Sequence, residues 1–380
     1  MTDARARVLV TGASGFIGSH LCQVLRERGH AVQAMVRKTS KLAKLEDAAR
    51  EGGRVIPFEL AYASLDDVDA LTEAVRGVEV VYNIAGTTAA FDRVGFDRTN
   101  VAGVDNLIAA IERARASEGK GPRRLVHVSS LMAAGPSHPK VGRREHHRHE
   151  AGFTDYGDSK LAGEARVMVA ARSSELELII VRPPLVYGPR DEDVLQMIKS
   201  AGMRVVAQPG LRPTWMSAIH GRDLARGIAL VGERGQPLPR ADAREQAKDE
   251  RHVLGGGGLD PAIPGAIGDP RGLGIYYLTD GRPSSVAEFG QVAAAAMGRR
   301  ALTLPLPAVA VRSVGWLNQG IGRARGKVPA LTADKARASL SPGWWCDDAK
   351  ARTELGWSEH FDLERGLEDT IRWLRDRGQL

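Results

Sequence analysis

A glycine-rich turn near the amino terminus constrains the fold of this 380-residue chain more than any other feature. The β-branched run Arg7–Thr11 predicts a buried strand, and the periodicity of Phe16–Arg28 predicts a helix soon after it. The residues that join them read Thr11-Gly-Ala-Ser-Gly-Phe-Ile-Gly18. A strand, a glycine turn and a helix in this order form the unit that binds the diphosphate of a dinucleotide in doubly wound α/β proteins.

The three glycines of this turn have separate predicted tasks. Gly12 would permit the tight turn, Gly15 would let the main chain approach a phosphate, and Gly18 would let the helix pack closely on the strand. Their spacing is one residue longer at the first gap than in the usual dinucleotide fingerprint. Glycine-rich turns are often only turns, so the motif needs support from the rest of the chain.

That support comes from Tyr156-Gly-Asp-Ser-Lys160, which on a helix places a phenol and an ammonium group one turn apart. A nearby cation favours phenolate, so we expect Lys160 to lower the pKa of Tyr156 from about 10 towards neutral pH. Such a phenol could act as a general acid or base. The alternative is an exposed helix pair, but Ser129-Ser130 after another apolar strand favours a catalytic site.

Taken together, these motifs resemble the extended short-chain dehydrogenase/reductase family, and the resemblance covers nearly the whole chain. Further matching segments are Val81–Gly86, Asn100–Gly103, Leu125–Ser130 and Val181–Pro189. The resemblance implies an α/β Rossmann-type doubly wound parallel sheet with a small C-terminal substrate-capping lobe. Within the family, the 3β-hydroxysteroid dehydrogenase and dihydroflavonol reductase branch is the most similar.

The resemblance also implies roles for individual residues. Tyr156 would exchange a proton with the substrate oxygen and Ser130 would orient that oxygen. Lys160 would lower the pKa of Tyr156 and hold the nicotinamide ribose, while Asn100 would support a proton-relay water. The implied cofactor contacts are Gly12, Ser14, Gly15, Phe16, Ile17, Gly18, Arg37, Lys38, Ser40, Glu59, Leu60, Ala85, Gly86, Tyr156, Lys160, Pro183 and Val186.

The end of the second predicted strand, Ala31–Arg37, indicates which dinucleotide is bound. Enzymes selective for NAD place an acid here for the ribose hydroxyls, whereas an arginine accommodates the extra phosphate of NADP. Arg37 with Lys38 therefore favours NADP(H), with NAD(H) as the alternative, unless these are simply exposed loop cations. Glu59-Leu60 takes the place of the family's Asp-Leu beside adenine.

Two apolar residues bear on the substrate. Leu185 stands where sugar-nucleotide enzymes of the family carry an asparagine, and Met216 stands where they carry an arginine; both of those polar residues hold the substrate diphosphate. Apolar side chains at these positions favour a hydrophobic cyclic substrate, sterol-like or terpenoid. We therefore predict an NADP(H)-dependent alcohol/ketone oxidoreductase. The alternatives are a nucleotide-sugar epimerase or dehydratase, and a catalytically idle NADP(H)-binding sensor or assembly factor.

The domain organisation follows from composition along the chain. Residues 1–190 are mainly the predicted Rossmann domain, and 191–380 are mainly the substrate lobe with a flexible insertion at about 233–272. The loop 143–149 contains His146, His147 and His149, but no thiolates are near, so we predict a solvated lid and no metal site.

The remaining features concern partners and location. The net charge of +7 is scattered among acids, which argues against a nucleic-acid surface. Cys22 and Cys346 are predicted to be packing residues, and the absence of a signal-peptide pattern predicts a cytoplasmic protein. The apolar stretch Leu304–Ile321 is predicted to pack the capping lobe as a helix, with contact to a membrane surface as the less favoured alternative. A homodimer is compatible with the sequence.

Overall fold

The computed structural model describes residues 6–51, 54–118, 121–240 and 272–380. In chain order its strands are β1 Arg7–Thr11, β2 Ala31–Val36, β3 Arg50–Glu51, β4 Arg54–Val55, β5 Glu59–Tyr62, β6 Val80–Asn83, β7 Arg124–Val128, β8 Glu177–Arg182, β9 Leu185–Tyr187, β10 Val205–Pro209, β11 Trp215–Met216, β12 Ala218–His220, β13 Ile275–Tyr277, β14 Ser284–Ser285, β15 Leu302–Leu306 and β16 Gly343–Trp344. Its α-helices are α1 Phe16–Glu27, α2 Ala43–Ala48, α3 Val68–Ala74, α4 Arg93–Asp97, α5 Gly103–Glu118, α6 Asp155–Ser173, α7 Leu195–Gly202, α8 Gly221–Arg234, α9 Val286–Ala296, α10 Ala308–Ala324, α11 Ala333–Ser339, α12 Ala349–Leu355 and α13 Leu363–Asp376. A π-helical turn, Arg98–Ala102, joins α4 to α5, and a 3-10 turn covers Leu131–Ala134.

A seven-stranded parallel sheet forms the centre of the molecule, in the order β13–β8–β7–β6–β1–β2–β5. The predicted doubly wound α/β fold is therefore confirmed. The strand order reverses beside β1, where Val8 lies opposite both Val32 of β2 and Val80 of β6. In such sheets ligands bind outside the carboxyl ends of the strands at this switch point.

Each face of the sheet buries its own hydrophobic core because side chains alternate along a strand. Val8 and Val10 point into the core that α1 and α8 cover, whereas Leu9 points into the core beneath α3, α5 and α6. Covering both faces explains why these strands are almost wholly apolar.

The capping lobe has a third, separate core. It is built from α7, α9 and α13 around Phe289, with Ile198, Val206 and Leu367 packed against it. Two small sheets, β10–β15 and β14–β11–β16, close this lobe. Within the described residues, no helix has the length and apolar character needed to cross a bilayer.

The predicted division of the chain at residue 190 needs two corrections. Helix α8 packs on α1, and β13 pairs in parallel with β8 as the edge strand of the central sheet. Both belong to the Rossmann domain, although the sequence placed them in the lobe. The predicted insertion also begins too early, since Leu238 is buried and its amide donates to the Leu178 carbonyl at 2.8 Å. Residues 241–271 of that insertion lie outside the described residues.

Candidate active site

The glycine turn lies at the carboxyl end of β1 and leaves no room for side chains. Gly12 has a φ of +64°, and a Cβ there would lie 2.9 Å from the main chain of Ala85. A Cβ on Gly18 would lie 2.2 Å from the Gly12 carbonyl oxygen. The 12-residue helix α1 starts directly after Gly15, so its first amides face this turn. The cradle therefore fits a dinucleotide diphosphate, as the sequence predicts.

A buried hydrogen-bond chain joins the glycine turn to the neighbouring strands. The Thr11 hydroxyl donates to Asn83 Oδ1 at 2.7 Å and accepts from the Ala85 amide at 3.0 Å. Asn83 Nδ2 lies 3.1 Å from His127 Nδ1, and burial lowers the pKa of His127 to about 3, so the ring is neutral. This chain fixes the Ala85–Gly86 segment against the turn. Polar residues within apolar strands were the available signal, and the sequence reasoning missed Thr11 and His127 as positioning residues.

The serine pair after β7 divides its two hydroxyls between different surroundings. The Ser130 side chain lies beside the Tyr156 phenol and favours its ionised form, and the Ser130 hydroxyl oxygen accepts from the Met132 amide at 3.2 Å. Ser129 is buried beside Glu164, away from that phenol. The structure therefore brings Ser130, the predicted residue, to Tyr156.

Tyr156 and Lys160 lie one turn apart on α6, whose first turn is capped by the Thr154 side chain. Burial raises the pKa of Tyr156 above its ordinary value, and the Ser130 hydrogen bond only partly opposes this. Lys160 Nζ donates to the Val128 carbonyl at 2.8 Å, and burial lowers the pKa of Lys160 to about 8. The expected lowering of the phenol pKa is therefore wrong for this structure, because the loss of solvation outweighs any effect of the ammonium charge.

Asn100 lies in the π-helical turn, a deviation that often marks functional sites. Its Oδ1 accepts from the Thr87 amide at 2.9 Å, and its Nδ2 donates to the Thr87 carbonyl at 3.0 Å and to Ser159 Oγ at 2.9 Å. These bonds tie the segment after Gly86 to α6. With these partners the Asn100 side chain fixes the position of this segment, and its predicted support of a proton-relay water stays a prediction.

Two of the four catalytic candidates, Asn100 and Lys160, lie beside Gly86 of the cofactor cradle. A Cβ on Gly86 would lie 3.2 Å from Asn100 Oδ1 and 3.6 Å from Lys160 Nζ. The structure thus brings the segment after β6, the π-helical turn and the start of α6 together beside the switch point.

Arg37 and Lys38 follow β2 and are exposed. The turn is held by the Ser40 amide, which donates to the Arg37 carbonyl at 2.9 Å, and by the Arg37 amide, which donates to Ser40 Oγ at 3.0 Å. Within the described residues the Arg37 guanidinium makes no hydrogen bond or ion pair. It is free to meet a phosphate at the ribose end of the cradle.

The predicted adenine contact of Glu59 and Leu60 is contradicted by strand direction. Glu59 opens β5 opposite Gln33, and its carboxylate pairs with Arg7 at the amino end of β1. Ligands bind at the opposite, carboxyl edge of the sheet. The residues that follow β5 there are Ala63, Ser64 and Leu65.

The two predicted substrate residues lie beside the same core of the capping lobe but differ in exposure. Leu185 in β9 is partly exposed and pairs with Ala218 of β12, and Val186, just after Pro183–Pro184, pairs with Ile219. Met216 is only 7% exposed and belongs to the core of the capping lobe. The structure therefore favours a packing role for Met216 and leaves Leu185 as the accessible candidate.

The histidine-rich loop 143–149 is anchored, which corrects the prediction of a solvated lid. Arg143 is buried, and its side chain donates to the Pro136 and Arg148 carbonyls at 2.9 Å. His149 contacts Arg182 at the core of an Arg182–Glu164 ion pair, and burial lowers the pKa of His149 to about 3. Among the described residues no three His, Cys, Asp or Glu side chains are grouped to hold a metal ion.

The carboxyl-terminal part of the chain supports the start of α6. The Asp334 carboxylate of α11 accepts from the Asp155 amide at 2.9 Å and from the Tyr156 amide at 3.4 Å. The Trp344 ring meets Phe153, just before α6, at 5.5 Å between centroids. Both Cys22 and Cys346 are buried free thiols, as predicted.

Comparison with known proteins agrees with this geometry. Residues 8–241 match the model of the NAD dependent epimerase/dehydratase family. The chain is 27% identical to a ceramide reductase of Caulobacter vibrioides over 100% of this chain and 98% of that protein. It is 23% identical to a 3 beta-hydroxysteroid dehydrogenase/Delta 5-->4-isomerase of Mycobacterium tuberculosis over 98% and 91%. Among solved structures, that of gox2253 superimposes with a TM-score of 0.71 and 25% identity over 99% of both chains.

Proposed function

Because the chain belongs to the NAD dependent epimerase/dehydratase family and is an NAD(P)-dependent oxidoreductase, we propose that it uses NADP(H) to interconvert an alcohol and a ketone on a hydrophobic cyclic substrate. One observation carries this proposal most directly. Ser130 lies beside Tyr156, one helical turn from the buried Lys160, and Lys160 Nζ borders Gly86 of the glycine-lined cradle. This arrangement can hold a substrate oxygen and exchange a proton with it.

The proposed mechanism assigns each side chain a separate task. The bound nicotinamide supplies the hydride. The Tyr156 hydroxyl gives its proton to the substrate oxygen during reduction, and the Ser130 hydroxyl holds that oxygen by a hydrogen bond. Lys160, within reach of Gly86, would hold the nicotinamide ribose.

The pKa of Tyr156 supports reduction as the direction at neutral pH. Because burial raises that pKa, the phenol is protonated in the free protein and is ready to act as an acid. Oxidation would need the phenolate, which the buried site disfavours in the free protein. The charges of bound ligands would have to lower the pKa of Tyr156 before the phenolate could form at neutral pH.

Arg37 supports NADP(H) over NAD(H). The exposed guanidinium at the end of β2, with Lys38 beside it, suits the charge and geometry of a 2′-phosphate. No carboxylate is present between Ala31 and Lys44 to bind the ribose hydroxyls in its place.

The substrate class is supported by Leu185 and by the relatives. An apolar residue at this accessible position would leave a diphosphate without a polar partner, which is costly once water is excluded. One relative is named for a ceramide and the other for a steroid, and both compounds are hydrophobic.

A thermal-shift series tests cofactor and substrate together. We expect NADP to raise the melting temperature more than NAD, and a 3β-hydroxysteroid to raise it further in the NADP complex. UDP-glucose and UDP-galactose should leave it unchanged. A larger shift with NAD would contradict the cofactor assignment, and a shift with either sugar nucleotide would favour an epimerase.

A further inference from the structure

Helix α10 exposes apolar side chains where a surface helix normally carries charge. Val309 is 73% exposed, Trp316 72% and Leu317 65%. A helix on the surface of a protein in water usually turns its polar face outward. Helix α10 departs from this rule, because large apolar side chains share its exposed surface with Arg312 and Arg323.

The buried residues of α10 show which side of the helix packs against the protein. Its buried residues are Val311, Gly315 and Gly322, and a Cβ on Gly315 would lie 2.7 Å from Ala336 Cβ of α11. At 100° per residue these three positions share one side, with Trp316 and Leu317 well away from it. Close contact with α11 therefore fixes the apolar residues outward.

The strand pair β10–β15, which directly precedes α10 in sequence through β15, also exposes apolar side chains. Leu302 is 73% exposed and Leu304 49%, and alternation along β15 puts both on one face. Val205, opposite Leu302 in β10, is 41% exposed. We call the outward residues Leu302, Leu304, Val309, Trp316, Leu317 and Ile321 the apolar face.

The charge of the chain segment that carries most of the apolar face has a single sign. Residues 289–333 contain no aspartate or glutamate, and they contain the six cations Arg299, Arg300, Arg312, Arg323, Arg325 and Lys327. Arg312 and Arg323 follow the helix period along one border of the apolar residues. An apolar face with a tryptophan and bordering arginines is the pattern of a helix that lies in the interface of an anionic bilayer.

We propose that the apolar face binds the surface of an anionic lipid bilayer, with α10 lying parallel to it. The complementary charge favours lipid head groups over a second copy of this basic face, which would bring like charges together. Binding to a bilayer would explain why this water-exposed surface carries large apolar side chains.

The position of α10 connects this surface to the candidate active site. Gln319 Nε2 donates to the Phe91 carbonyl at 3.2 Å, in the segment that follows Gly86. Gln319 Oε1 accepts from the Ala333 amide at 2.9 Å, and α11 holds the Tyr156 amide through Asp334. A bilayer on the apolar face would therefore lie beside the mouth of the site, and a hydrophobic substrate could enter from lipid. This last step rests on the proposed function, whereas bilayer binding does not.

Vesicle co-sedimentation of the full chain tests the proposal without cofactor or substrate. We expect the protein to sediment with vesicles containing phosphatidylglycerol, to bind pure phosphatidylcholine weakly, and to be released by high salt. The double variant Trp316→Ser/Leu317→Ser should bind at least about tenfold more weakly. The matched control Val55→Ser/Val169→Ser changes two exposed apolar residues of the Rossmann domain and should bind as the wild type does.

Three results would overturn the proposal. The first is a wild-type protein that does not sediment with anionic vesicles, and the second is a Trp316→Ser/Leu317→Ser variant that sediments as well as the wild type. The third is a dimer in analytical ultracentrifugation that this variant converts to a monomer while vesicle binding is absent, which would assign the face to a second copy. Circular dichroism of each variant checks that the fold is retained.

Discussion

At the scale of single residues, sequence spacing predicted which candidate side chains lie together. Tyr156 and Lys160 share one side of a helix, so their sequence separation fixes their neighbourhood. The environment of these side chains could not be predicted in the same way. Burial of Tyr156 and the bond from Lys160 to the Val128 carbonyl depend on strands and loops distant in sequence. The sign of the tyrosine pKa shift therefore required the structure.

Ser130 and Ser129 provide a matched pair of variants. Ser130→Ala should lower turnover at least about a hundredfold, because it removes the hydroxyl proposed to hold the substrate oxygen beside Tyr156. Ser129→Ala should keep near wild-type turnover, because Ser129 is buried beside Glu164. Steady-state oxidation of NADPH measures both variants. The opposite ranking would assign the substrate contact to Ser129.

Arg37→Ala tests the cofactor preference. We expect the dissociation constant for NADP to rise about tenfold, since a charge-assisted bond to the 2′-phosphate is lost at an exposed site. The affinity for NAD should barely change. Titration calorimetry measures both, with Arg50→Ala as the control for an exposed arginine. Equal weakening for the two dinucleotides would place Arg37 away from the 2′-phosphate.

At the scale of elements, apolar periodicity located strands and helices well but not always their partners. Strand β1 and helix α1 begin where the sequence predicted, because a glycine turn marks the boundary between them. The three-residue strand β13 was assigned to the wrong domain, since so short a strand carries no information about its neighbour. Glu59 was placed beside adenine by the family resemblance, and the resemblance does not specify the register that puts Glu59 at the start of β5.

Gly18→Ala tests the packing of the glycine turn. The added methyl group would meet the Gly12 carbonyl oxygen at 2.2 Å, so the turn must open and NADP binding should weaken at least about tenfold. Gly320→Ala is the control, because a Cβ at that helical glycine meets nothing within 4 Å. It should bind NADP normally. Fluorescence titration of the two variants with NADPH gives the comparison, and equal affinities would count against the diphosphate cradle.

Glu233 links the end of α8 to the end of α1 and gives a pH-dependent contribution to stability. Burial raises its pKa, but hydrogen bonds from His30 and Arg28 outweigh burial and lower that pKa to about 2. Because the pKa is lower in the folded state, Glu233 stabilises the fold at pH values above its pKa in the unfolded chain, about 4.3. This stabilisation is lost as the pH falls towards 2, the pKa in the folded state.

We therefore expect Glu233→Gln to lower the free energy of unfolding by about 1 kcal/mol at pH 7, a value reduced for the partly exposed site. The difference from wild type should shrink as the pH falls below about 4 and disappear only below about pH 2. Urea denaturation at pH 7 and at about pH 1.5 measures it. A difference that persists unchanged at low pH would mean that the glutamate acts through packing rather than charge.

At the scale of the whole molecule, the sequence predicted the architecture and missed the contacts that close it. The loop 143–149 looked solvated because it is charged, yet the Arg143 amide bonds the Trp345 carbonyl at 2.9 Å and ties the loop to the carboxyl-terminal tail. Asp334 supports the Tyr156 helix from 178 residues away in sequence. Such contacts depend on how the lobe folds back, and local patterns do not encode them.

The most direct test of the central proposal follows the hydride itself. The protein is incubated with a 3-ketosteroid and NADPH carrying deuterium at the transferred position, and the product is analysed by mass spectrometry. We predict one deuterium on the new carbinol carbon per NADPH consumed, and a rate at least about a hundredfold lower for Tyr156→Phe. No transfer to the steroid, together with conversion of a UDP-sugar without net consumption of NADPH, would contradict the proposal and identify an epimerase.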